Sequence, residues 1–336
     1  MKQTELFGAN NVMRPAWMAF AAAIALGPGI AQAQRADAAK AYPTKPIRIV
    51  VPFTPGGSND ILGRFIGEKL TKRLGQPSVI ENRAGADGII GSEFVARAAP
   101  DGYTLLLVST TFAMNPALHQ LPYDPLKSFT PISLIGSGAN LIATTPTLPV
   151  NSIKELIALA KRKPGQLHYA ATGGFNQFGG ELFKSMSGID MRHVPYKGSA
   201  PAIVDVMAGH VEVIINALMP LLPHVRSAKL KPLGVGAARR AAVIPDVPTI
   251  AEAGVPGYDG SVWWGILGPA QMPDAIVTRL NSEIRAILRE PATAKRLASE
   301  AAEAVIASQD DFRALIAADI AKWLKVAKAA GIGREW

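Results

Sequence analysis

The chain has 336 residues, of which 49% are hydrophobic and 18% charged. That length suits two domains, and the apolar fraction supplies a sizeable core, which excludes disorder as the main state. Cysteine is absent, which excludes disulfides, thiolate zinc sites, iron–sulfur clusters and cysteine nucleophiles together. The net charge is +9, but the basic clusters are short: Lys161–Arg162–Lys163, Arg239–Arg240, and Lys69 with Lys72 and Arg73. A nucleic-acid binder concentrates its charge in a stripe with interleaved aromatics. These clusters read instead as solvated surface, and no nucleic-acid partner is expected. A diffuse positive field favours small anions.

In chain order, Arg14 precedes an apolar run from Ala16 to Leu26, broken by Gly27, Pro28 and Gly29 and followed by Ala31-Gln32-Ala33. A basic residue, a short apolar stretch and an Ala-x-Ala site predict a secretory signal peptide over residues 1–33. The run is too short to span a bilayer. The mature protein is then expected to be exported and periplasmic, where ATP- and NAD-dependent chemistry lacks its cofactors. Residues 34–45 read as a linker.

Strand-like and helix-like segments then alternate. Ile47–Pro52 is a buried strand, Ser58–Leu74 a helix ended by Gly75, Val79–Glu81 a strand, Ile90–Ala98 a helix and Tyr103–Ser109 a strand. Ile132–Ile135 and Asn140–Thr145 read as two strands. Asn151 or Ser152 caps a helix running to Lys163, with Glu155 as capping-box partner. Further strands are expected at Leu167–Ala171, Met191–Pro195, Val211–Asn216, Lys231–Gly236 and Tyr258–Leu267. Helices are expected at Gln177–Ser187, Ala200–Ala208, Pro220–Ala228, Pro273–Leu288, Ala292–Ala301 and Asp310–Ala329. Such alternation predicts an α/β fold with parallel-rich sheets. Two domains are expected, one of residues 46–143 with 263–336 and one of residues 144–262, with a cleft between them as the ligand site.

Two stretches carry most of the chemistry. Val51-Pro52-Phe53-Thr54-Pro55-Gly56-Gly57-Ser58-Asn59-Asp60 follows a strand and opens a helix. Adjacent glycines allow close backbone approach, Ser58 or Asn59 is placed to cap the helix, and the first-turn N–H groups form an anion site. Asp60 reads as an anchor for its own loop. Neither GxGxxG nor GK[ST] is present, so dinucleotide and P-loop binding are not indicated. Ala171-Thr172-Gly173-Gly174-Phe175-Asn176-Gln177 repeats the arrangement at a second strand end, the edge where open α/β sheets bind ligands. A tight turn without a ligand is the alternative reading of each loop.

Lesser candidates are Gly85 and Ala86 in a loop before a helix, Ser109-Thr110-Thr111 at a strand end, Asn216 at another strand end, and Trp264. Trp263 and Trp264 alternate along a strand, which suits a core and directs one of the two toward the cleft. His119, His168, His193, His210 and His224 lack metal-ligand spacing. There is no Gly-x-Ser-x-Gly elbow. No metal, cofactor or catalytic residue is assigned, and His193 reads as a packing residue.

A run of motifs resembles one family in order: Tyr42-Pro43-x-Lys45-Pro46-Ile47, Val51-Pro52-Phe53-x-Pro55-Gly56-Gly57-x-x-Asp60, Glu81-Asn82-Arg83-x-Gly85-Ala86 and Pro100-Asp101-Gly102-Tyr103-Thr104. Asn115-Pro116-Ala117-Leu118, Leu121-Pro122-Tyr123-Asp124-Pro125, His193-Val194-Pro195-Tyr196-Lys197-Gly198 and Pro245-Asp246-Val247-Pro248-Thr249 continue it. The chain resembles the Bug-type extracytoplasmic solute receptors, the substrate-binding components of tripartite tricarboxylate transporters. The resemblance implies a periplasmic two-domain Venus flytrap, monomeric, that binds a small carboxylate for delivery to membrane transporter subunits. It also implies that the loops at Phe53–Asp60 and after Leu167–Ala171 hold the carboxylates, largely through main-chain N–H groups.

The chain departs from that pattern twice. Phe175 and Phe178 replace a Ser/Thr-rich stretch, and Asn216-Ala217 replaces Asp-Asn. Both departures favour a more apolar or aromatic acid over a small aliphatic dicarboxylate. A sensor subunit for a membrane kinase and a hydrolase acting on an anionic substrate are the alternatives.

Overall fold

The computed structural model describes residues 42–330. The expected signal peptide and most of the expected linker lie outside the described residues. Ten strands and ten α-helices follow one another in the described chain. They are β1 (Ile47–Val51), α1 (Ser58–Leu74), β2 (Ser78–Asn82), α2 (Ile89–Ala96), β3 (Thr104–Ser109), α3 (Thr110–Leu118) and β4 (Phe129–Thr144). Next come α4 (Ile153–Arg162), β5 (His168–Thr172), α5 (Phe175–Ser187), β6 (Arg192–Tyr196), α6 (Ser199–Ala208), β7 (Val213–Ala217), α7 (Leu218–Arg226) and β8 (Lys231–Val235). The chain ends in β9 (Ser261–Pro269), α8 (Asp274–Arg289), α9 (Pro291–Ser299), β10 (Ala302–Ala304) and α10 (Gln309–Ala330). Among the described residues no helix is long and apolar enough to cross a membrane.

The strands form two sheets that share β4. In the first sheet β2, β1 and β3 run parallel, β9 is antiparallel to β3, and the first part of β4 pairs with β9 and β10. In the second sheet β6, β5 and β7 run parallel, and residues 140–144 of β4 pair antiparallel with β7 on one side and β8 on the other. The pairing changes between Ala139, opposite Ser261, and Asn140, opposite Ala217. The sequence expectation of two strands at 132–135 and 140–145 is thereby corrected: Gly136 and Gly138 interrupt the apolar run without ending the strand. β10 was not expected from the sequence.

Burial follows from the side-chain pattern. In β4 and β7 successive residues face opposite sides of the sheet, so Ile142, Val213 and Ile215 join one apolar cluster while Leu141, Ala143 and Ile214 join another. Helix α4 adds Ile153, Leu156 and Leu159 to the first cluster, and α6 adds Ile203 and Val206 to the second. Each fully buried aliphatic side chain contributes about 1.5–3 kcal/mol of transfer free energy. Ser152 caps α4 as expected, its Oγ accepting from Glu155 N at 3.2 Å. The Glu155 carboxylate accepts from Asn151 N at 2.7 Å, one residue earlier than a standard capping box.

The C-terminal helix α10 touches both sheet regions. Trp263 Nε1 donates to Asp319 at 2.6 Å, and the Trp263 ring meets Phe312 edge-on. On the other side Trp323 meets Phe178 edge-on at 4.9 Å, and Lys322 pairs with Asp259 at 3.1 Å. Phe178 is therefore a packing residue of α5 against α10.

Candidate functional site

Five strands run into helices at one place. β1 leads to α1, β3 to α3, β5 to α5, β6 to α6 and β7 to α7. The residues at these junctions enclose a cavity of ≈ 50 Å³. Phe53, Thr54, Gly57, Ser58, Asn59, Ser109 and Thr111 line it from the first sheet's side. Thr172, Gly173, Phe175, Asn176, Gly198, Ser199, Asn216 and Ala217 line it from the second, and Val262 at the start of β9 completes it. None of these residues is ionisable.

The helix starts have one property in common. Their N-cap residues are Gly57, Ser109, Gly174, Gly198 and Ala217, and none makes a side-chain cap hydrogen bond. Of the helices that start elsewhere, α4 is capped by Ser152, while α2, α8 and α9 also start without a side-chain cap, so the site is set apart by the convergence of its helix starts. The first-turn N–H groups of an uncapped helix have no intrahelical partner, and the end carries roughly half a positive charge. Five such ends sum to roughly 2.5 elementary charges before screening. Such an array of helix ends suits an anion without a single cationic side chain.

The first loop is held from below by a carboxylate. Asp60 accepts from Gly56 N (3.0 Å), Arg64 Nε (3.0 Å), Arg64 Nη2 (2.9 Å) and Asn82 Nδ2 (3.0 Å). Asn82 Nδ2 also donates to Phe53 O at 3.0 Å. Burial alone pushes the Asp60 pKa up, but these bonds and the Arg64 charge hold it below the ordinary carboxylate value. Gly56 takes φ +85°, a left-handed conformation that favours glycine, and this turns its N–H onto Asp60. The expectation that Asp60 anchors its own loop agrees with these contacts. The expectation that Ser58 or Asn59 caps α1 is corrected. Gly57 is the N-cap, Ser58 Oγ accepts from Trp264 Nε1 at 3.2 Å, and Asn59 is left to line the cavity.

The second side is an amide and hydroxyl network. Asn216 Oδ1 accepts from Ala217 N (2.8 Å), Asn176 Nδ2 (3.2 Å) and Ser199 Oγ (3.3 Å). Asn176 Nδ2 also donates to Thr172 Oγ1 at 2.6 Å. With its oxygen saturated, Asn216 keeps its Nδ2 group for another partner. Asn59 Nδ2 and Asn216 Nδ2 are both buried without a hydrogen-bond partner in the protein. A buried unsatisfied donor costs about 1–3 kcal/mol, and two of them, one from each side, line the same cavity.

The two sides touch around this cavity. Phe175 N donates to Thr111 Oγ1 at 3.3 Å. Asp87 reaches Gly173, Thr111 reaches Gly174, and Thr54 reaches Gly198.

Of the residues singled out in the sequence, Phe53, Thr54, Gly57, Ser58, Asn59, Thr111, Thr172, Gly173, Phe175, Asn176 and Asn216 come together on the cavity. Pro55, Gly56, Asp60, Gly85, Ala86, Thr110, Gly174, Gln177 and Trp264 are not among the lining residues. Thr110 Oγ1 instead accepts from Trp263 N at 3.0 Å, and Trp264, 1% exposed, is turned to Ser58. Gly85 and Ala86 open a left-handed turn with φ +139° and +45°. Ser109, singled out together with Thr110 and Thr111, also lines the cavity, while sequence reasoning missed Gly198, Ser199, Ala217 and Val262. The Gly198–Ser199 pair has the same strand–glycine–helix signature as the two loops it identified. His193 is a packing residue, its Nε2 3.2 Å from Ala171 O and its ring stacked on Tyr169, and burial lowers its pKa.

Two α/β lobes that meet at the carboxyl ends of their strands define the periplasmic-binding-protein class of receptor. The chain belongs to a particular family of that class. A family model described as "Tripartite tricarboxylate transporter family receptor" matches residues 62–332. The chain is 37% identical over 308 residues to Protein BugT of Bordetella pertussis, a match covering 90% of this chain and 94% of that one. Among solved structures it is similar to R. palustris Rpa4515 with adipate, at 38% identity and a TM-score of 0.85, covering 87% of this chain and 99% of that one. It is also similar to MatC (Rpa3494) from Rhodopseudomonas palustris with bound malate, at 30% identity and a TM-score of 0.80, covering 85% and 99%. Members of this family are solute receptors, and the chain is a receptor and not an enzyme, which sets aside the hydrolase alternative.

Proposed function

We propose that this protein is a periplasmic receptor that binds a small carboxylate between its lobes and presents it to membrane subunits of a tripartite tricarboxylate-type transporter. The carrying observation is the convergence of five uncapped helix N-termini on one cavity lined by no ionisable side chain. The carboxylate accepts from first-turn N–H groups and from Asn59 and Asn216. Hydrogen bonds to a charged group contribute about 1.5–3 kcal/mol each, so several offset its desolvation. Phe53, Phe175 and Val262 give the cavity an apolar part, which supports an acid with an apolar or aromatic body. Adipate and malate in the related structures support the carboxylate class.

The moving units are proposed as residues 46–143 with 263–336 and residues 144–262. The strand pairing changes a few residues before each of those bounds, at Ala139–Asn140 and at Gly260–Ser261, which supports a hinge just inside them. The mature chain is proposed to begin after Ala33.

The test is a thermal-shift screen of the purified mature protein against aliphatic, dicarboxylic and aromatic acids. Ligand at a hundred times its Kd stabilises by about 2.7 kcal/mol, an upward shift that is easily read. Stabilisation by no acid in the panel overturns the reading. Capture of transporter subunits from native membranes by the loaded protein supports delivery, and capture of a membrane kinase in their place supports the sensor alternative.

A further inference from the structure

The glycines of the second lobe's loops invite a simple explanation, that a bare backbone lets the ligand approach. Their surroundings suggest another. A Cβ on Gly173 would overlap Asp87 Oδ1 and lie 2.6 Å from Asp87 Cγ. A Cβ on Gly198 would overlap Thr54 Oγ1 and lie 3.0 Å from Thr54 Cβ. In both cases the space that a side chain would need is filled by a residue of the opposite lobe. Neither position takes a left-handed φ, and Gly198 is extended at φ −173°, so conformation alone does not demand glycine at either.

Asp87 is not free to step aside. It sits in the turn Gly85–Gly88, where four successive residues have φ of +139°, +45°, +52° and +86°. Its carbonyl accepts from Asn115 Nδ2 at 3.1 Å, and its Oδ2 lies 2.8 Å from His119 Nε2. It does not line the cavity. A non-glycine residue with positive φ is uncommon and persists where its surroundings hold it.

We infer that Gly173 and Gly198 are glycines for lobe closure, and that Asp87 and Thr54 are positioning residues whose side chains seat on them. The inference rests on the receptor reading in that closure is the step that captures the ligand. It differs from that reading in assigning the Cβ-free space to the protein and not to the ligand.

The chain has no cysteine, so closure can be timed without any ligand. The ideal Cβ of Gly56 lies 3.8 Å from Ala200 Cβ across the lobes, matching the roughly 3.8 Å of a disulfide. The reporter is the full mature chain carrying Gly56→Cys and Ala200→Cys, with the cross-linking rate measured under mild oxidant. Cysteine at the left-handed Gly56 position carries the same strain in every background, so it cancels in the comparison. Overpacking a fitted contact is expected to slow cross-linking roughly tenfold or more in Gly173→Ala. Asp87→Ala is expected to stay within about threefold of the reference, and the double variant to return to that range.

A Gly173→Ala rate equal to the reference, or a double variant as slow as Gly173→Ala, overturns the inference. Gly198→Ala with Thr54→Ala, read by cross-linking alone, gives a second cycle that decides the matter if Gly173→Ala does not fold. In a parallel arm, recovery of acid affinity by Asp87→Ala in the Gly173→Ala background supports closure. No recovery there means that the methyl group meets the ligand, which also overturns it. Failure of the receptor reading is a separate result: no acid binds the reference protein, whatever the cross-linking shows.

Discussion

Replacing Asn59 by alanine separates binding from stability with opposite signs. Asn59 is 5% exposed, lines the cavity, and its Nδ2 has no hydrogen-bond partner in the protein. Leaving such a donor buried costs about 1–3 kcal/mol. Alanine removes that cost and gains about 0.5 kcal/mol of helix propensity in α1, while losing the packing of a small side chain. The ligand-free variant is therefore expected to be as stable as the parent or up to about 1 kcal/mol more stable. Its carboxylate affinity is expected to fall by about 1.5–3 kcal/mol, roughly ten- to hundredfold, the worth of one hydrogen bond to a charged acceptor. Urea unfolding without ligand gives the first quantity, and titration calorimetry with an acid identified by the screen gives the second. A variant less stable by more than about 1 kcal/mol with unchanged affinity refutes the reasoning, because it makes Asn59 a structural residue and not a waiting donor.

Three further outcomes are expected. Asp60→Asn turns an amide N–H₂ toward donors from Gly56, Arg64 or Asn82, and should cost about 1.5–3 kcal/mol in denaturant unfolding, the worth of a lost hydrogen bond to a charged group, since Arg64 is left half-exposed to solvent. Since the folded Asp60 pKa is depressed, its stabilising contribution is present above the ordinary carboxylate pKa and lost as pH falls through the lower folded value. Acid unfolding of Asp60→Asn should show that part of the pH dependence removed. Gly57→Val should abolish carboxylate binding with the circular dichroism spectrum unchanged. A single Cβ there clears Ser199 Oγ at 3.6 Å, but the added methyls enter the cavity, and undiminished affinity would contradict the site. Finally, with no ionisable lining residue, affinity should be flat from about pH 6 to 9 and fall only as the ligand's own carboxylate protonates. A midpoint near the histidine range in calorimetric titrations would point to a group outside the lining.

What the sequence disclosed depended on how local the signal was. The start of α1 was legible because strand, glycine pair and helix follow within ten residues, and Asp60 anchors that same turn. The cavity's other wall was half legible: Thr172 to Asn176 repeats the pattern, whereas Gly198 was read only as the end of a family motif and Ser199 was not singled out. Helix α3 was hidden, since Pro116 interrupts it and almost every residue is buried, leaving no polar face to reveal a period. Strand β4 was split in two on paper because only pairing with distant β9 and β10 carries it through Gly136 and Gly138. Trp264 shows the limit of alternation: one of two adjacent tryptophans does leave the other's side of the sheet, but its indole finds Ser58 before it finds the cavity. Phe178 looked like added aromatic surface for a ligand and is spent on Trp323.

The uncapped helix ends have a consequence for how cargo is judged. Two of them belong to one lobe and three to the other, so on the proposed reading a bound acid would act as a capping group shared between the lobes. A solute with acceptors at both ends completes the secondary structure on each side and gives the lobes a reason to stay together. A solute with one acidic head completes only one side and leaves the opposite donors to water. On that reading such a molecule would occupy without fastening, and the receptor would measure the reach between acceptors as well as their charge.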